Sequence, residues 1–325
     1  MLEVFSKISE PYLLIIMPTS RRQALAVLAS TAGASLLPET STAAVKSPSF
    51  VPCLNMSTIR GQKLGFVKEL ETASKAGFRS VEVWMETLQE FVKSGNTPAQ
   101  ARKIADDLGI KIENAIGFAA WIVHDETART KGVDQLKREM ELLAQVGCMR
   151  VATPPVGAQS PQSPRIDLLK AAERYRTILE ISDQTGVIPQ LELWGFSKNL
   201  NLLSEVMYVA IQSGHPSARL LLDVYHLYKG GSSLDSLKLV GKPGIEIFHI
   251  NDYAAGFPKE TIVDADRVYP GDGIAPIGQI LKIIKNPDRP IVLSLEVFNK
   301  SYYAQDALQV AKTGLAKINK VIAGI

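Results

Sequence analysis

Four residues with metal-binding side chains each close a short apolar stretch in the second half of the sequence. Three carboxylates and an imidazole gathered at apolar strand ends would be costly without a neutralising charge. We therefore predict one divalent metal ion held by all four. Oxygen-rich ligation with a single nitrogen favours Mn²⁺, with Mg²⁺, Co²⁺ or Zn²⁺ as alternatives. The residues are Glu192 after IPQL, Asp223 after RLLL, His249 after IEIF and Glu296 after IVLSL.

Short apolar or β-branched stretches recur along the chain, with helical patterns between them. Most of these stretches lack polar alternation, as expected of parallel strands buried on both faces. Several helical patterns stop at a glycine, which is a common signal for the end of a helix. The predicted strands are Phe50–Asn55, Ser80–Trp84, Lys111–Ile116, Met149–Thr153, Ile188–Leu193, Arg219–Asp223, Ile245–Ile250 and Ile291–Glu296. The predicted helices include Leu64–Ala76, Pro98–Leu108, Val133–Val146, Leu168–Thr185 and Leu200–Ser213.

Eight strands that alternate with helices predict an α/β fold, a (β/α)8 TIM barrel, as a single domain over residues 46–325. No GxGxxG motif follows the first strand, which disfavours a doubly wound dinucleotide-binding sheet. Active sites of TIM barrels lie at the C-terminal ends of the strands. The four metal-binding candidates therefore fall on one rim of the predicted barrel.

Other polar and aromatic residues also lie near predicted strand ends. Glu82 either faces the pocket and contacts substrate or is a buried structural carboxylate. His226 is either a substrate hydrogen-bond donor or a structural group. The loop 270–273 either offers backbone N–H groups to a substrate oxygen or forms a tight turn. Aromatic side chains suit the C–H face of a sugar, although core packing explains them equally well. The candidates are Trp84, Phe118, Trp194 and Trp121. Of these, Trp121 is a predicted substrate contact.

The overall composition argues against several classes of protein. The chain of 325 residues is 46% hydrophobic and 21% charged, which disfavours a disordered protein. Its net charge is +3 and its basic residues are scattered, so nucleic acid is not an expected partner. Cys53 and Cys148 are predicted at opposite ends of the barrel, and we therefore expect two buried thiols rather than a disulfide.

Residues 1–45 are predicted to be an export leader that lies outside the barrel. Arg21-Arg22 precedes the apolar stretch 24–37, and Thr42-Ala43-Ala44 offers small residues for cleavage, an order typical of secretory signals. The arginine pair makes the segment similar to a twin-arginine signal. Met1 and Met17 are alternative starts, and an uncleaved membrane anchor is the alternative to cleavage. We therefore expect a periplasmic or other envelope location, without membrane association after cleavage.

The polar strand ends resemble the xylose isomerase-like barrel superfamily, specifically its sugar phosphate isomerase/epimerase branch. The likeness covers nearly all of residues 50–325. It implies that Glu192 and Glu296 both hold the metal and exchange protons with the substrate. It also implies that Asp223 and His249 complete the metal site. The segments that carry the likeness are Leu191-Glu192, Asp223-x-x-His226, His249-x-x-Asp252, Arg267 to Gly273, and Glu296.

The same resemblance places sugar contacts at His226 and Arg267. The superfamily also contains DNA-repair enzymes of the endonuclease IV type, which need three zinc ions. Their Asp-Arg-His segment reads Asp266-Arg267-Val268 in this chain. Because the valine side chain cannot bind zinc, a trinuclear DNA-repair site is not expected.

The resemblance implies a metal-dependent isomerase or epimerase that acts on a small sugar or keto-sugar. One glutamate would remove the proton beside a carbonyl to give a metal-stabilised enediolate, and the other would return a proton. Loss of a β-hydroxyl instead would give a dehydratase of an inosose, a dehydroshikimate-like compound or a keto-sugar. A non-catalytic sugar-binding barrel is a further alternative. The sequence leaves open which sugar and which carbon react, and whether the chain forms a homo-oligomer.

Overall fold

Residues 48–325, which the computed structural model describes, form a closed parallel barrel surrounded by helices. The prediction of a single (β/α)8 TIM barrel is confirmed. The predicted leader and its two alternative start residues lie outside the described residues. The barrel strands, each paired with the next and the last with the first, are β1 (Phe50–Asn55), β2 (Ser80–Trp84), β3 (Lys111–Ile116), β4 (Arg150–Thr153), β5 (Ile188–Glu192), β6 (Leu220–Asp223), β7 (Ile245–Ile250) and β10 (Ile291–Leu295).

A short antiparallel ribbon interrupts the alternation after β7. It pairs β8 (Asp252–Tyr253) with β9 (Arg267–Val268). The helices are α1 (Phe66–Ala76), α2 (Met85–Lys93), α3 (Pro98–Asp107), α4 (Glu126–Val146), α5 (Leu168–Thr185), α6 (Leu203–Gln212), α7 (Val224–Gly230), α8 (Leu234–Leu237), α9 (Ile277–Ile284), α10 (Lys300–Tyr303) and α11 (Ala307–Ala323). Within the part of the chain that the structure describes, no helix combines the length and apolar character needed to cross a membrane.

Burial on both faces explains why the strands could be recognised in the sequence. All six residues of β7 and all five of β10 are buried. One face of each strand packs against the helices, and the other face fills the barrel interior. The interior cluster contains Cys53, Ile116, Ala152, Leu221, Ile247 and Val292. Cys53 and Cys148 are both buried free thiols, as predicted.

Three predicted helix starts were wrong. Helix α1 begins at Phe66, two residues after the predicted Leu64. Helix α4 begins at Glu126, seven residues before the predicted Val133. Asp125 starts it, because its carboxylate accepts a hydrogen bond from the backbone N–H of Ala128 at 2.7 Å, and such a cap stabilises a polar first turn. Helix α6 begins at Leu203 rather than Leu200. Leu200 has a left-handed backbone with φ of 58°, which a right-handed helix excludes.

Glu69 in α1 predicts a pH effect on stability. Its side chain is 5% exposed, and Oε2 has no hydrogen-bond partner among residues 48–325. Burial raises its pKa from 4.5 to about 7, although Arg60 opposes the shift. Between these two values the folded chain keeps a proton that the unfolded chain has lost. The free energy of unfolding should therefore fall by about 1–2 kcal/mol as the pH rises from 4.5 to 7.

Substituting Glu69→Gln removes this titration. We expect the variant to be more stable than the wild type at pH 8 by about 1–2 kcal/mol, with little difference at pH 4.5. Urea unfolding at both pH values measures the effect. Glu71→Gln on the same helix is the matched control, since the Glu71 side chain is 41% exposed. Equal pH dependence in wild type and Glu69→Gln would show that Glu69 is ionised in the folded chain.

Candidate active site

The C-terminal ends of four neighbouring strands bring the predicted metal-binding residues to one rim of the barrel. Glu192 ends β5, Asp223 ends β6, His249 lies on β7, and Glu296 directly follows β10. Asp223 pairs with His249 in the sheet register. All four side chains are at most 4% exposed. The rim therefore concentrates three carboxylates and one imidazole in a site from which water is largely excluded.

Three of the four side chains approach one another closely. One ligand atom from each of Asp223, His249 and Glu296 can be chosen so that all lie within 4.8 Å. His249 Nδ1 is 3.1 Å from Glu296 Oε2 and 3.9 Å from Asp223 Oδ2. Ligands bound to one ion at about 2.1 Å and at right angles lie about 3 Å apart. The spacing of this trio therefore fits a shared divalent cation.

Unsatisfied buried atoms give a second indication of the same kind. Neither His249 Nδ1 nor Nε2 has a hydrogen-bond partner among the described residues, although carboxylate oxygens of Glu296 and Glu82 lie 3.1 Å and 2.9 Å from them. Glu192 Oε2 is also buried without a partner. Glu192 stands outside the compact trio but lines the same cavity as Glu296, which belongs to the trio. The residues present thus fit a metal held by the trio, with Glu192 as an adjacent carboxylate.

Arg267 contacts two of the predicted ligands, and the His226 ring in turn contacts Arg267. Arg267 Nη1 donates to Asp223 Oδ2 at 3.1 Å and to Glu296 Oε2 at 2.8 Å. Arg267 Nη2 lies 3.1 Å from His226 Nε2. Burial and the adjacent guanidinium both lower the pKa of His226, so its ring is neutral near pH 7. Arg267 and His226 both line the cavity, where the resemblance implied sugar contacts.

Burial and mutual repulsion set the protonation of the carboxyl groups. Burial raises the pKa of Glu192 to about 8; His249 opposes this shift and Glu296 adds to it. Burial likewise raises the pKa of Asp223 to about 6 although Arg267 lowers it. The pKa of Glu296 is lowered in spite of burial, because His249 and Arg267 favour its charged form. A divalent cation at the trio would favour the ionised form of each carboxylate.

Glu82 lies beneath the site and not in the cavity, so the structure does not place it as a substrate contact. It is fully buried in the barrel interior. Its Oε2 is 2.9 Å from His249 Nε2 and accepts a hydrogen bond from Asn55 at 2.9 Å. Its Oε1 accepts from Asn114 at 2.8 Å. A carboxylate oxygen of Glu82 lies beside one nitrogen of His249, and one of Glu296 lies near the other. These two contacts fix the orientation of the His249 ring.

Removing the charge of Glu82 should weaken metal binding. We expect Glu82→Gln to lower the affinity for Mn²⁺ by about 10–100-fold, because the carboxylate that orients and polarises His249 is lost. Calorimetric titration with Mn²⁺ measures this change. Glu113→Gln is the matched control, since Glu113 is a buried carboxylate on β3 that bonds to Ser80 and Arg150 rather than to a predicted ligand. Unchanged affinity in Glu82→Gln would contradict the orienting role.

Aromatic side chains form most of the cavity wall. Trp84 lies with its ring centroid 5.1 Å from Phe118 and 6.4 Å from Phe298. Trp194 lies 6.3 Å from Phe118 and 5.2 Å from Phe196. All five side chains line a cavity of about 200 Å³ that also contains Glu192 and Glu296. This wall can pack against the C–H face of a ring and keep water from the carboxylates.

Trp121 does not belong to this wall. Its side chain is fully buried in the hydrophobic core, and its indole N–H donates to the carbonyl of Pro154 at 3.0 Å. Its ring lies against Tyr175, with centroids 5.9 Å apart. The structure therefore places Trp121 in the core and not beside a substrate, and Phe196 and Phe298 supply aromatic surface that the sequence analysis did not identify.

The loop 270–273 is a tight turn held by Asp252. Asp252 Oδ2 accepts from the backbone N–H groups of Gly271 at 2.9 Å and Gly273 at 3.1 Å, and Oδ1 accepts from Ala275 at 2.9 Å. A Cβ at Gly273 would lie 2.2 Å from the carbonyl oxygen of Tyr253, so only glycine fits. These N–H groups already donate to Asp252 rather than to a substrate. The turn also fixes the position of the ribbon that carries Arg267.

Sequence analysis assigned no role to three residues that complete the site. Asn55 Nδ2 donates to Glu82 and, at 3.2 Å, to Glu296 Oε1. Asn251 Nδ2 donates to Asp223 Oδ2 at 2.8 Å and to the backbone carbonyl of Glu296 at 3.1 Å. Asp264 lines the cavity and pairs with Arg267. The two asparagines carry a signal that could have been used, since each follows an apolar strand.

Comparison with known proteins agrees with this architecture. The inosose isomerase of Halalkalibacterium halodurans is 26% identical over 266 residues, which make up 80% of this chain and 93% of that protein. The 3-dehydroshikimate dehydratase of Pseudomonas putida is 24% identical over 77% of this chain and 39% of that protein. The crystal structure of IolI with a bound zinc atom has a TM-score of 0.77 at 23% identity, covering 84% of this chain and 98% of that one.

A family model described as the xylose isomerase-like TIM barrel matches residues 70–321. This span includes seven of the eight barrel strands and all four predicted metal-binding residues. With the barrel topology described above, the match shows that the chain belongs to the xylose isomerase-like TIM barrel family.

Proposed function

We propose that the protein is a divalent-metal-dependent isomerase or epimerase of a sugar or keto-sugar, which acts by moving a proton at the carbon beside a carbonyl. One observation carries the proposal: Glu192 and Glu296 line one cavity, and Glu296 also belongs to the buried ligand trio. The 26% identical inosose isomerase supports the same reaction type. When bound, the cation polarises the carbonyl and stabilises negative charge that develops next to it.

The side chains of the cavity divide the remaining tasks. The carboxylate of Glu192 accepts the proton from the carbon beside the carbonyl and later releases it to solvent. Glu296 takes a proton from solvent and returns it, and its delivery to the opposite face of the same carbon inverts that carbon. Delivery to the neighbouring carbon exchanges aldose and ketose instead. Arg267 and the neutral His226 hold substrate oxygens, and the aromatic wall excludes water.

Charge and the predicted leader both favour an unphosphorylated substrate. The cavity lining contains Glu192, Glu296 and Asp264 but only one basic residue, Arg267. A phosphate would therefore meet more repulsion than attraction. Export by the predicted leader into the periplasm or another envelope compartment would likewise favour a free or oxidised sugar. We propose Mn²⁺ as the metal, and Zn²⁺, present in the structure of IolI, is the alternative.

A dehydratase is the second candidate, because the chain also matches a 3-dehydroshikimate dehydratase at 24% identity. Dehydration shares the first proton removal and differs in the next step. After proton loss to Glu192, the C–O bond of a β-hydroxyl breaks and the oxygen leaves as water with one added proton. The product is a conjugated enone, which absorbs in the ultraviolet.

Proton exchange in D₂O tests the proposal. The Mn²⁺-loaded protein is incubated with ketoses, inososes and 3-dehydroshikimate, and NMR follows deuterium at the carbon beside the carbonyl. Deuterium uptake with isomer formation, abolished by a chelator and restored by Mn²⁺, is the expected result. Enone absorbance would favour the dehydratase. No exchange with any substrate by metal-bearing protein would contradict both enzymes and favour a sugar-binding barrel.

A further inference from the structure

The cavity above the ligand trio has room for about one sugar-sized ring. Its volume of about 200 Å³ is below the roughly 300–1,000 Å³ of typical small-molecule sites. Its carboxylate, imidazole and guanidinium groups come from the half of the barrel formed by β5 to β10. Trp84 and Ile116, the last residues of β2 and β3, and Phe118, two residues beyond β3, line the other side with apolar surface. A ring held by Glu192 and Glu296 therefore has its far edge toward Phe118.

Phe118 is also the boundary of a second concavity on the outer surface of the barrel. Its side chain is 39% exposed, and it lines both the catalytic cavity and a groove of about 370 Å³. The other residues of the groove come from α2 and α4. A substituent on the bound ring that passes over Phe118 therefore enters this groove directly.

The groove contains a buried carboxylate held by two amides. Gln89 Nε2 and Gln135 Nε2 donate to Glu139 Oε1 at 3.3 Å and 2.8 Å. Glu139 is 3% exposed, and its Oε2 has no hydrogen-bond partner among residues 48–325. A buried acceptor without a partner costs about 1–3 kcal/mol. Because this oxygen is itself covered, the polar surface that the groove offers to a ligand comes from the half-buried amides of Gln89 and Gln135.

The combination of groups in the groove suits a neutral polyhydroxylated ring. An exposed aromatic face packs against sugar C–H groups, and amides with a carboxylate can bond to neighbouring hydroxyls. An anionic group fits poorly, because Glu86, Glu90 and Glu139 line the groove against one basic residue, Lys93. The groove therefore differs from the catalytic cavity in chemistry, since it offers no imidazole and no cluster of metal ligands.

We propose that the groove between α2 and α4 is a second carbohydrate subsite, so that the substrate is a glycoside or disaccharide. The ring that bears the carbonyl lies in the catalytic cavity, and the second ring stacks on Phe118 and bonds to the amides of Gln89 and Gln135. This inference rests on the proposed function for the position of the first ring. The groove itself is defined by contacts that involve none of the predicted metal ligands.

Binding of disaccharides and monosaccharides tests this subsite without any turnover. Maltose, cellobiose and lactose are titrated against the metal-loaded full chain, beside glucose and galactose. We expect at least one disaccharide to bind 10-fold or more tightly than its component monosaccharides. Saturation-transfer NMR should then show contact with both of its rings. Equal affinity for all five sugars, or contact with one ring only, would overturn the subsite.

Two variants locate the second ring. Phe118→Ala and Gln135→Ala should each reduce disaccharide affinity by about 10-fold, whereas Gln145→Ala, an exposed residue on the same helix α4, should leave it unchanged. Circular dichroism checks that each variant is folded. Loss of affinity in Gln145→Ala alone, or in none of the three, would contradict the assignment. Deuterium exchange by the wild type reports separately on the proposed function, so the failure of either one can be recognised.

Discussion

Substituting Glu192→Gln should slow deuterium exchange into the substrate by about 10³-fold, within the range of 10²–10⁴ for a lost general base, while the metal stays bound. Glu192 lines the cavity, and its carboxylate oxygen Oε2 has no partner among the described residues. The amide of glutamine has nearly the same shape but cannot accept the proton. The close trio of Asp223, His249 and Glu296 remains in this variant.

Glu296→Gln should behave differently, because Glu296 belongs to the trio. The variant loses an anionic ligand and leaves Arg267 without one of its two buried carboxylate contacts. We expect loss of both exchange and bound metal. Metal content by elemental analysis and exchange by NMR separate the two variants, with Glu141→Gln on the exposed face of α4 as the control. Full exchange in Glu192→Gln would show that the base is another group.

The positions of the strands and of the metal-binding candidates along the chain could be predicted because both depend on local pattern. A parallel strand buried on two faces is an apolar stretch, and a polar residue that ends it lies at the rim that carries the active site. This reasoning placed Glu192, Asp223, His249 and Glu296 on one rim. It did not show that Glu192 would stand apart from the other three, since that depends on side-chain direction.

The surroundings of three other residues could not be predicted, because they depend on contacts between distant parts of the chain. Trp121 lies near a strand end but turns inward, because the Pro154 carbonyl satisfies its N–H in the core. Glu82 turns into the barrel interior because His249 and Asn55 meet it there. Asp252 fixes a turn about 20 residues later in the sequence. No local periodicity records which distant group a side chain will meet.

At the opposite end of the barrel, Glu246→Gln should destabilise the fold by about 2–4 kcal/mol at pH 7. Glu246 lies at the start of β7 and is 9% exposed. Its Oε1 accepts from Arg219 at 2.9 Å and lies 2.8 Å from Arg289, and its Oε2 accepts from Arg150 at 2.7 Å. Without the carboxylate, Arg219 and Arg289 would lose their carboxylate partner, and Arg150 would keep only Glu113.

The pKa of Glu246 determines how the stability effect of Glu246→Gln changes with pH. Burial would raise the pKa of Glu246, but the arginines outweigh it and hold the pKa at about 2, below the usual 4.5. The carboxylate therefore stabilises the fold fully above pH 4.5, and this contribution is lost as the pH falls toward 2. Urea unfolding at pH 7 and pH 3 should show a smaller difference between wild type and Glu246→Gln at the lower pH.

A surface pair provides the matched control for Glu246. Glu180→Gln removes the partner of Arg176 where the two side chains are 54% and 50% exposed, and it should cost less than about 1 kcal/mol. Glu246 lies at the opposite end of the barrel from Glu192 and Glu296. The folded fraction of Glu246→Gln should therefore keep its deuterium exchange rate. A loss of stability equal to that of Glu180→Gln, or a loss that does not change with pH, would contradict this prediction. Either result would mean that solvent screens the arginine cluster around Glu246.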